Sequence, residues 1–128
     1  MKVLLDTHTL IWATTNPNRL SRDASAAIAD PMTEVLVSAA SAWEIATKVR
    51  LGKMPDSEPL ERRFLQALDL AGYILLSIDA ETALRAGRLI GNHRDPFDRI
   101  LAAHAIALDI PIISKDTKLD QFPLRRIW

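Results

Sequence analysis

The chain has 128 residues, 48% hydrophobic and 25% charged, which predicts one domain over residues 1–128 with a sizeable core. Basic and acidic residues balance at 16 each, so a polyanionic partner has to be bound by a local basic patch. No apolar run approaches the roughly 20 residues of a membrane-spanning helix, and the first residues lack a secretory signal. Cysteine is absent, which excludes disulfides and the usual structural zinc sites, and we expect a cytoplasmic protein without membrane segments.

Short apolar runs that suit buried strands alternate along the chain with segments of helical spacing. Strands are predicted at residues 3–5, 34–38, 73–78 and 110–114, with a last edge strand at 126–128. Helices are predicted at residues 8–13, 22–29, 39–51, 60–71, 80–90 and 96–108. Residues 53–59 form a loop, and a short turn or helix lies near Leu119. Alternating strands and helices predict an α/β sandwich whose parallel sheet is covered on both faces.

Four carboxylates fall where such a sheet binds its ligands, beyond the carboxyl ends of the strands. Asp6 ends the first strand, and Asp116 follows the fourth strand. Asp98 lies in the first turn of the helix that leads into the fourth strand, and Glu44 lies early in the helix that leaves the second. If the first and fourth strands are neighbours, all four side chains can converge on one edge of the sheet.

Gathered carboxylates repel one another by roughly 3 kcal/mol per pair at about 5 Å and an effective dielectric near 20. A cluster of this kind stays ionised only around a cation. Hard oxygen ligands suit Mg²⁺ or Mn²⁺ better than Zn²⁺. A divalent ion held by carboxylates is suited to phosphodiester hydrolysis, so Asp6, Glu44, Asp98 and Asp116 are the candidate catalytic and metal-ligating residues.

Each of these acids also has a purely structural interpretation. Asp6 can cap the following helix, and Asp116 can serve as a turn residue. Asp98 follows Asp95, the predicted N-cap, and can simply complement the helix dipole. These interpretations remain open at the level of sequence.

Glu44 has two structural alternatives of its own. It follows Ser41 by three residues, which is the spacing of a capping box. If Ser38 is the N-cap instead, Glu44 moves into the second turn and the box disappears. Lys48 is its i+4 neighbour and can form an ordinary surface ion pair with it.

The remaining polar and aromatic residues carry weaker signals. His8, His93 and His104 lack metal-ligand spacing, and His104 on its apolar helix is typical of a hydrogen-bonded core histidine. Trp12 and Trp43 suit a core or an interface. Six basic residues near the proposed edge could form a local patch for a polyanion: Arg50, Lys53, Arg94, Arg99, Lys115 and Lys118. The hydroxyls of Thr7 and Ser114 could bind a ligand carboxylate or a phosphate.

Four stretches, in this order, cover nearly the whole chain: LLDTHTLIW, VSAASAWEIATKVRLGKM, HRDPFDRILAAHA and IISKD. With them the chain resembles the PIN-domain family, and within it the VapC toxins of bacterial type II toxin–antitoxin pairs. The resemblance implies a PIN-like three-layer sandwich whose parallel five-stranded sheet has the order 3-2-1-4-5. It also implies an endoribonuclease dependent on Mg²⁺ or Mn²⁺, with Asp6 and Asp98 as metal ligands and Glu44 and Asp116 completing the acidic pocket. The implied partners are RNA, a second copy of the chain, and a VapB-type antitoxin whose C-terminal segment covers the active-site groove.

Two other functions compete with this one. A receiver-like phospho-acceptor module is also an α/β protein with acids at strand ends and a lysine after a late strand, here Lys115. It needs two adjacent acids after the first strand, where only Asp6 is present, and an aspartate ending the middle strand, where Asp79 fits poorly. A catalytically inactive PIN-like scaffold is the second alternative, and the presence of all four acids argues against it.

Overall fold

The fold of residues 1–128, described here from a computed structural model, is built on one sheet of five parallel strands in the order β3-β2-β1-β4-β5. The strands are β1 (Lys2–Leu5), β2 (Glu34–Ser38), β3 (Ile74–Leu76), β4 (Ile112–Ile113) and β5 (Arg126–Ile127). The helices are α1 (Thr7–Thr15), α2 (Arg22–Ala29), α3 (Ala39–Arg50), α4 (Glu58–Arg62), α5 (Phe64–Ala71), α6 (Ala80–Arg88) and α7 (Pro96–Leu108). Short 3-10 helices cover Pro17–Arg19, Pro55–Ser57 and Thr117–Gln121. The α/β class and the 3-2-1-4-5 strand order are therefore confirmed.

Strand β1 is the centre of the sheet and decides where the acids meet. Leu5 at its end lies beside Val37 of β2 on one side and beside Ile113 of β4 on the other. Because all the strands run parallel, their carboxyl ends meet at the same edge. The first and fourth strands are thus neighbours, as the candidate site requires.

Both faces of the sheet are covered, and β1 shows how the sequence achieves this. Successive side chains of a strand point to opposite faces. Val3 and Leu5 belong to one buried apolar cluster, whereas Leu4 belongs to the other. Leu10 of α1 packs in the first cluster and Leu101 of α7 in the second. An uninterrupted apolar run therefore suits this strand, because helices bury both of its faces.

Side-chain caps start the helices that surround the site. The side chains of Asp6, Ser38 and Asp95 each accept a hydrogen bond from a backbone N–H in the first turn of α1, α3 and α7. Pro96 occupies the first turn of α7, where its missing N–H costs nothing. Short polar side chains at these positions satisfy amides that have no partner within the helix.

Several element bounds differ from the predictions. The helix predicted at 60–71 is two helices, α4 and α5, divided at Arg63, and it begins earlier because Pro59 lies in the first turn instead of ending a loop. Strand β4 is reduced to two residues and β3 to three, while α6 ends at Arg88. None of the helices has both the length and the apolar character that crossing a bilayer demands.

Candidate metal centre

Asp6 is buried at the junction between β1 and α1, with 6% of its surface exposed. Its Oδ1 accepts a hydrogen bond of 2.8 Å from the backbone N–H of Thr9, and its Oδ2 accepts one from Ser114 Oγ. Burial raises the pKa of the Asp6 carboxyl, although these hydrogen bonds act in the opposite direction. Asp6 therefore caps α1 and also stands at the carboxyl edge of the sheet, so the two interpretations of this residue are compatible.

Ser114 connects Asp6 to Asp116. Besides donating to Asp6, the Ser114 hydroxyl oxygen accepts a hydrogen bond of 2.9 Å from the backbone N–H of Asp116. Asp116 is partly buried, and its Oδ1 accepts from the backbone N–H of Lys118 at 2.9 Å. Asp116 thus caps a 3-10 helix, and Ser114 binds a carboxylate, which is one of the two roles expected for it.

Asp98 lies in the first turn of α7 with its carboxylate against His93. The distance from His93 Nε2 to Asp98 Oδ2 is 2.7 Å, and the two side chains are only 10% and 17% exposed. Burial raises the pKa of Asp98 to about 6, with the negative charges of Asp95 and Glu44 adding to the increase and the His93 hydrogen bond opposing it. The carboxylate therefore lies in a strongly anionic environment.

His93, Asp98 and Asp116 form a possible metal-binding group. One ligand atom from each lies within 4.8 Å of the other two, and no other three His, Asp or Glu side chains of the chain meet this spacing. Spacing along the sequence did not indicate His93 as a ligand, but the fold brings its imidazole beside two of the acids. Metal-ligand spacing in sequence reports on residues of one helix or hairpin, whereas His93 lies on a loop that folds back over the first turn of α7. The one sequence feature that could have indicated His93 is its position two residues before Asp95, the N-cap of the helix that carries Asp98.

Glu44 lies in the second turn of α3, because Ser38 is the N-cap and no capping box with Ser41 forms. Its Oε2 is paired with Lys48 Nζ, so the predicted i+4 ion pair exists. The pair is not an ordinary surface pair, since the Glu44 side chain is 4% exposed. Its other carboxylate oxygen, Oε1, is buried and has no hydrogen-bond partner. Leaving such an atom without a partner is costly, so Oε1 is available to bind a metal ion.

Lys48 is the one lysine that reaches this group of acids through a direct ion pair. Burial lowers the pKa of Lys48, but the hydrogen bond with Glu44 and the charges of Glu44, Asp95 and Asp98 outweigh it and raise the pKa overall. A single ammonium is thus shared electrostatically among several carboxylates. The four acids are therefore not each paired with an arginine or lysine of their own.

The four predicted acids therefore differ in how closely the fold brings them together. Asp98 and Asp116 lie at metal-ligand spacing together with His93, and Asp6 is linked to Asp116 through the Ser114 hydroxyl. Glu44 lies outside that spacing, although its charge influences Asp98. Carboxylate oxygens with one imidazole nitrogen, and an unpartnered buried oxygen close by, are a donor set that fits a divalent cation.

The surroundings of the acids bear on two other expectations, the basic patch and the position of Trp43. Arg99 is not free to bind a phosphate, because its guanidinium donates to the carbonyl oxygens of Ala86, Leu89 and His93. Of the two positions expected for Trp43, core or interface, the core is excluded: Trp43 is 53% exposed and meets Phe97 edge-on, with ring centroids 4.6 Å apart. The other five residues of the expected basic patch are exposed: Arg50, Lys53, Arg94, Lys115 and Lys118.

Thr7, a candidate for binding a carboxylate or a phosphate, and His104, expected in the core, are both buried. Thr7 Oγ1 lies 3.0 Å from Ser41 Oγ, so its hydroxyl is used within the fold. His104 is 5% exposed and its Nε2 lies 3.0 Å from Ser38 Oγ. Burial lowers the pKa of His104, which keeps the ring neutral. The interpretation of His104 as a hydrogen-bonded core histidine is confirmed.

Comparison with known proteins places the chain in a family. The PIN domain model matches residues 3–124. Ribonuclease VapC16 of Mycobacterium tuberculosis is 43% identical over 72 residues, and this match spans 52% of the chain and 51%, about half, of that relative. Three solved structures share the fold across nearly the whole chain. They are VapBC2 of Rickettsia felis bound to a promoter DNA fragment (TM-score 0.65, 17% identity, 98% of this chain and 97% of that one), FitAcB of Neisseria gonorrhoeae (0.61, 24%, 97% and 95%) and VapBC-1 of nontypeable Haemophilus influenzae (0.58, 20%, 98% and 96%). The sheet order, the match over residues 3–124 and the shared fold together establish that the chain belongs to the PIN-domain family.

Proposed function

We propose that this protein is an endoribonuclease that depends on a divalent metal ion and hydrolyses phosphodiester bonds of RNA, with residues 1–128 acting as one domain. The observation that carries the proposal is the group of carboxylates at the carboxyl edge of the central strands, with more acids than lysines among them. Membership of the PIN-domain family supports it, as does the similarity of half of the chain to a protein named as a ribonuclease.

The proposed ligands of Mg²⁺ or Mn²⁺ are Asp6, Glu44, Asp98 and Asp116. An ion bound there supplies a Lewis acid for the scissile phosphate and the attacking water. The protein contributes rigidity: Thr9 and Ser114 hold the Asp6 carboxylate. Because carboxylates that are held in place need little reorganisation, they act effectively on a developing charge.

The substrate contacts proposed around the acids are of two kinds. Exposed basic residues near the site, Lys115 and Lys118 among them, are suited to the phosphate backbone. The exposed ring of Trp43, supported by Phe97, is suited to stacking on an unpaired base. Trp43 immediately precedes Glu44, and Phe97 immediately precedes Asp98, so both rings belong to the turns of α3 and α7 that carry the acids.

The test compares RNA cleavage by the wild type and by Asp6→Asn. Asparagine is a good N-cap and can still accept from Thr9, so this variant should fold while losing a ligand charge. We expect wild-type cleavage to stop in EDTA and to return with Mg²⁺ or Mn²⁺. The cleaved RNA should carry 3′-hydroxyl and 5′-phosphate ends. Asp69→Asn is the matched control, since Asp69 is exposed on α5, away from the carboxyl edge. Cleavage by Asp6→Asn at the wild-type rate, or activity that persists in excess EDTA, rejects the proposal.

The two competing functions are weakened or tested by the same observations. Receiver modules have the strand order 2-1-3-4-5, which differs from the order found here. Asp79 is an exposed helix cap and not part of the acid group. An inactive scaffold predicts no metal-dependent cleavage at all, so the assay above decides between it and the enzyme.

We further propose that the protein is the toxin of a type II pair, acts in the cytoplasm, forms a homodimer and is inhibited by a VapB-type antitoxin. Two fold relatives are VapBC proteins, which supports this assignment. Exposed apolar side chains on α5 and on the edge strand β3 offer a surface of the kind that protein partners cover: Leu65, Leu70, Ile74 and Leu75. Light scattering should give twice the mass of the chain, and co-expression with the antitoxin should yield an inactive complex. A monomer that no antitoxin inhibits would contradict this assignment.

A further inference from the structure

The loop before α7 holds His93 in place from several directions. The backbone N–H of His93 donates to Gln121 Oε1 at 3.1 Å, and its carbonyl oxygen accepts from Arg99 Nη1 at 2.9 Å. The His93 ring packs near Phe122, with ring centroids 6.3 Å apart. The side chain is 10% exposed. The backbone and the ring of His93 are therefore both held by contacts with other parts of the fold.

Arg99 and Gly91 show that this loop conformation is specific. The Arg99 guanidinium binds the carbonyl oxygens of Ala86, Leu89 and His93, which ties the end of α6 to the start of α7. Gly91 has a φ of 150°, and a Cβ there would lie 2.6 Å from Gln121 Oε1. The positive φ favours glycine, and a larger residue would also displace the Gln121 side chain that holds His93.

The imidazole presents a nitrogen to the acids. His93 Nε2 lies 2.7 Å from Asp98 Oδ2, and both residues have ligand atoms within 4.8 Å of one from Asp116. Ligands at about 2.0–2.1 Å from one small ion lie roughly 3–4 Å from each other, so these three donors need only small movements to share it. Binding of one ion by both side chains would release the hydrogen between His93 and Asp98 to solvent, as ligand protons generally are released.

A second observation concerns Glu44, whose charge acts on the same group. The Oε1 atom of Glu44 is buried without a hydrogen-bond partner, and the negative charge of Glu44 repels that of Asp98. The group therefore combines an imidazole and two carboxylates at ligand spacing, and it lies within electrostatic reach of an acid that has an unpartnered buried oxygen. Repulsion among the acids favours an ion, and the imidazole decides which ion is preferred.

We propose that His93 is a direct ligand of the divalent ion, and that its nitrogen makes the centre prefer Mn²⁺ to Mg²⁺. Mg²⁺ takes oxygen ligands almost exclusively, whereas imidazole is a good ligand for transition metals. An all-carboxylate centre would lack this bias. The inference rests on the proposed metal-dependent function and specifies the composition of its metal centre.

The test is pulsed electron paramagnetic resonance on the Mn²⁺-loaded protein, which detects nitrogen bound to the ion independently of activity. We expect nitrogen modulation in the wild type and its loss in His93→Gln, which still binds Mn²⁺ through its carboxylates. His8→Gln is the matched control and should retain the modulation, because His8 is exposed and outside the ligand group. Isotopic labelling of histidine nitrogen should change the wild-type modulation, which provides a test that does not depend on the folding of any variant.

Titration calorimetry gives the second readout. Loss of an outer-shell partner already lowers metal affinity by about 10- to 100-fold, so His93→Gln should weaken Mn²⁺ binding at least about tenfold and Mg²⁺ binding much less. Nitrogen modulation that persists in His93→Gln overturns the proposal. The proposal is also overturned if Mn²⁺ binds to the wild type without nitrogen modulation. That result would mean that His93 only orients Asp98, and it would leave the nuclease proposal intact. If the wild type neither binds Mn²⁺ nor cleaves RNA with any divalent ion, the proposed function itself fails.

Discussion

Replacing Asp98 with asparagine should stabilise the metal-free protein at neutral pH. Burial and the charges of Asp95 and Glu44 raise the pKa of Asp98 from 3.8 to about 6. A difference of about two pKa units corresponds to about 3 kcal/mol of unfavourable ionisation in the folded state. Because 17% of the side chain is exposed and water offsets part of this cost, we expect Asp98→Asn to raise the free energy of unfolding by about 1–3 kcal/mol.

The effect should depend on pH in a defined direction. A carboxyl whose pKa is raised by folding binds its proton more tightly in the folded state. The wild type therefore loses stability as the pH rises from 3.8 through about 6, and no further above that range. The advantage of Asp98→Asn should be complete above this window and should disappear toward its lower end.

Urea denaturation followed by circular dichroism, in EDTA, measures this difference at several pH values. Asp69→Asn is the control, because Asp69 is exposed on α5 and lies outside the group of acids. Added Mn²⁺ should reverse the order of stability, since a ligand at 100 times its Kd stabilises the folded state by about 2.7 kcal/mol. The reasoning is refuted if Asp98→Asn is less stable than the wild type at neutral pH in EDTA, or if the difference does not change with pH.

Three further outcomes follow from the surroundings of the acids. Trp43→Ala should weaken the binding of single-stranded RNA to a cleavage-inactive background by about 1–3 kcal/mol, the contribution of one stacked base, and fluorescence anisotropy that shows unchanged affinity would contradict this. Arg99→Met should lower the free energy of unfolding by about 2–4 kcal/mol, because three backbone carbonyls lose a charged donor, whereas the exposed Arg94→Met should change it little. Lys48→Met should leave Glu44 buried without a counter-charge and lower the free energy of unfolding in EDTA. Saturating Mn²⁺ should restore part of that free energy, whereas equal losses with and without Mn²⁺ would argue against a cation near Glu44.

The sheet was predictable from local pattern, but its strand order was not. Val3, Leu4 and Leu5 predict a strand buried on both faces, and the two apolar clusters confirm it. Nothing in that pattern says which strand lies beside β1, because the partners Val37 and Ile113 are distant in the chain. The order 3-2-1-4-5 came from the resemblance to the PIN-domain family, and the structure agrees with it.

The proposed ligand group was predictable only in part, for a related reason. Asp98 and Asp116 stand at ends of helices and strands, so their positions follow from the element pattern. His93 is placed by long-range contacts of its loop with Arg99 and Gln121, which no local spacing reports. The break at Arg63 in the predicted helix likewise follows from packing and turn geometry and not from the apolar periodicity.

The most direct measurement is the anomalous scattering of manganese in crystals soaked with Mn²⁺. A peak should lie among the carboxylate oxygens of Asp98 and Asp116, on the side of Asp6 and close to His93 Nε2. Crystals that diffract well and show no peak there at saturating Mn²⁺, with the acids still held by their present hydrogen bonds, would contradict a metal-dependent nuclease centre at this edge of the sheet.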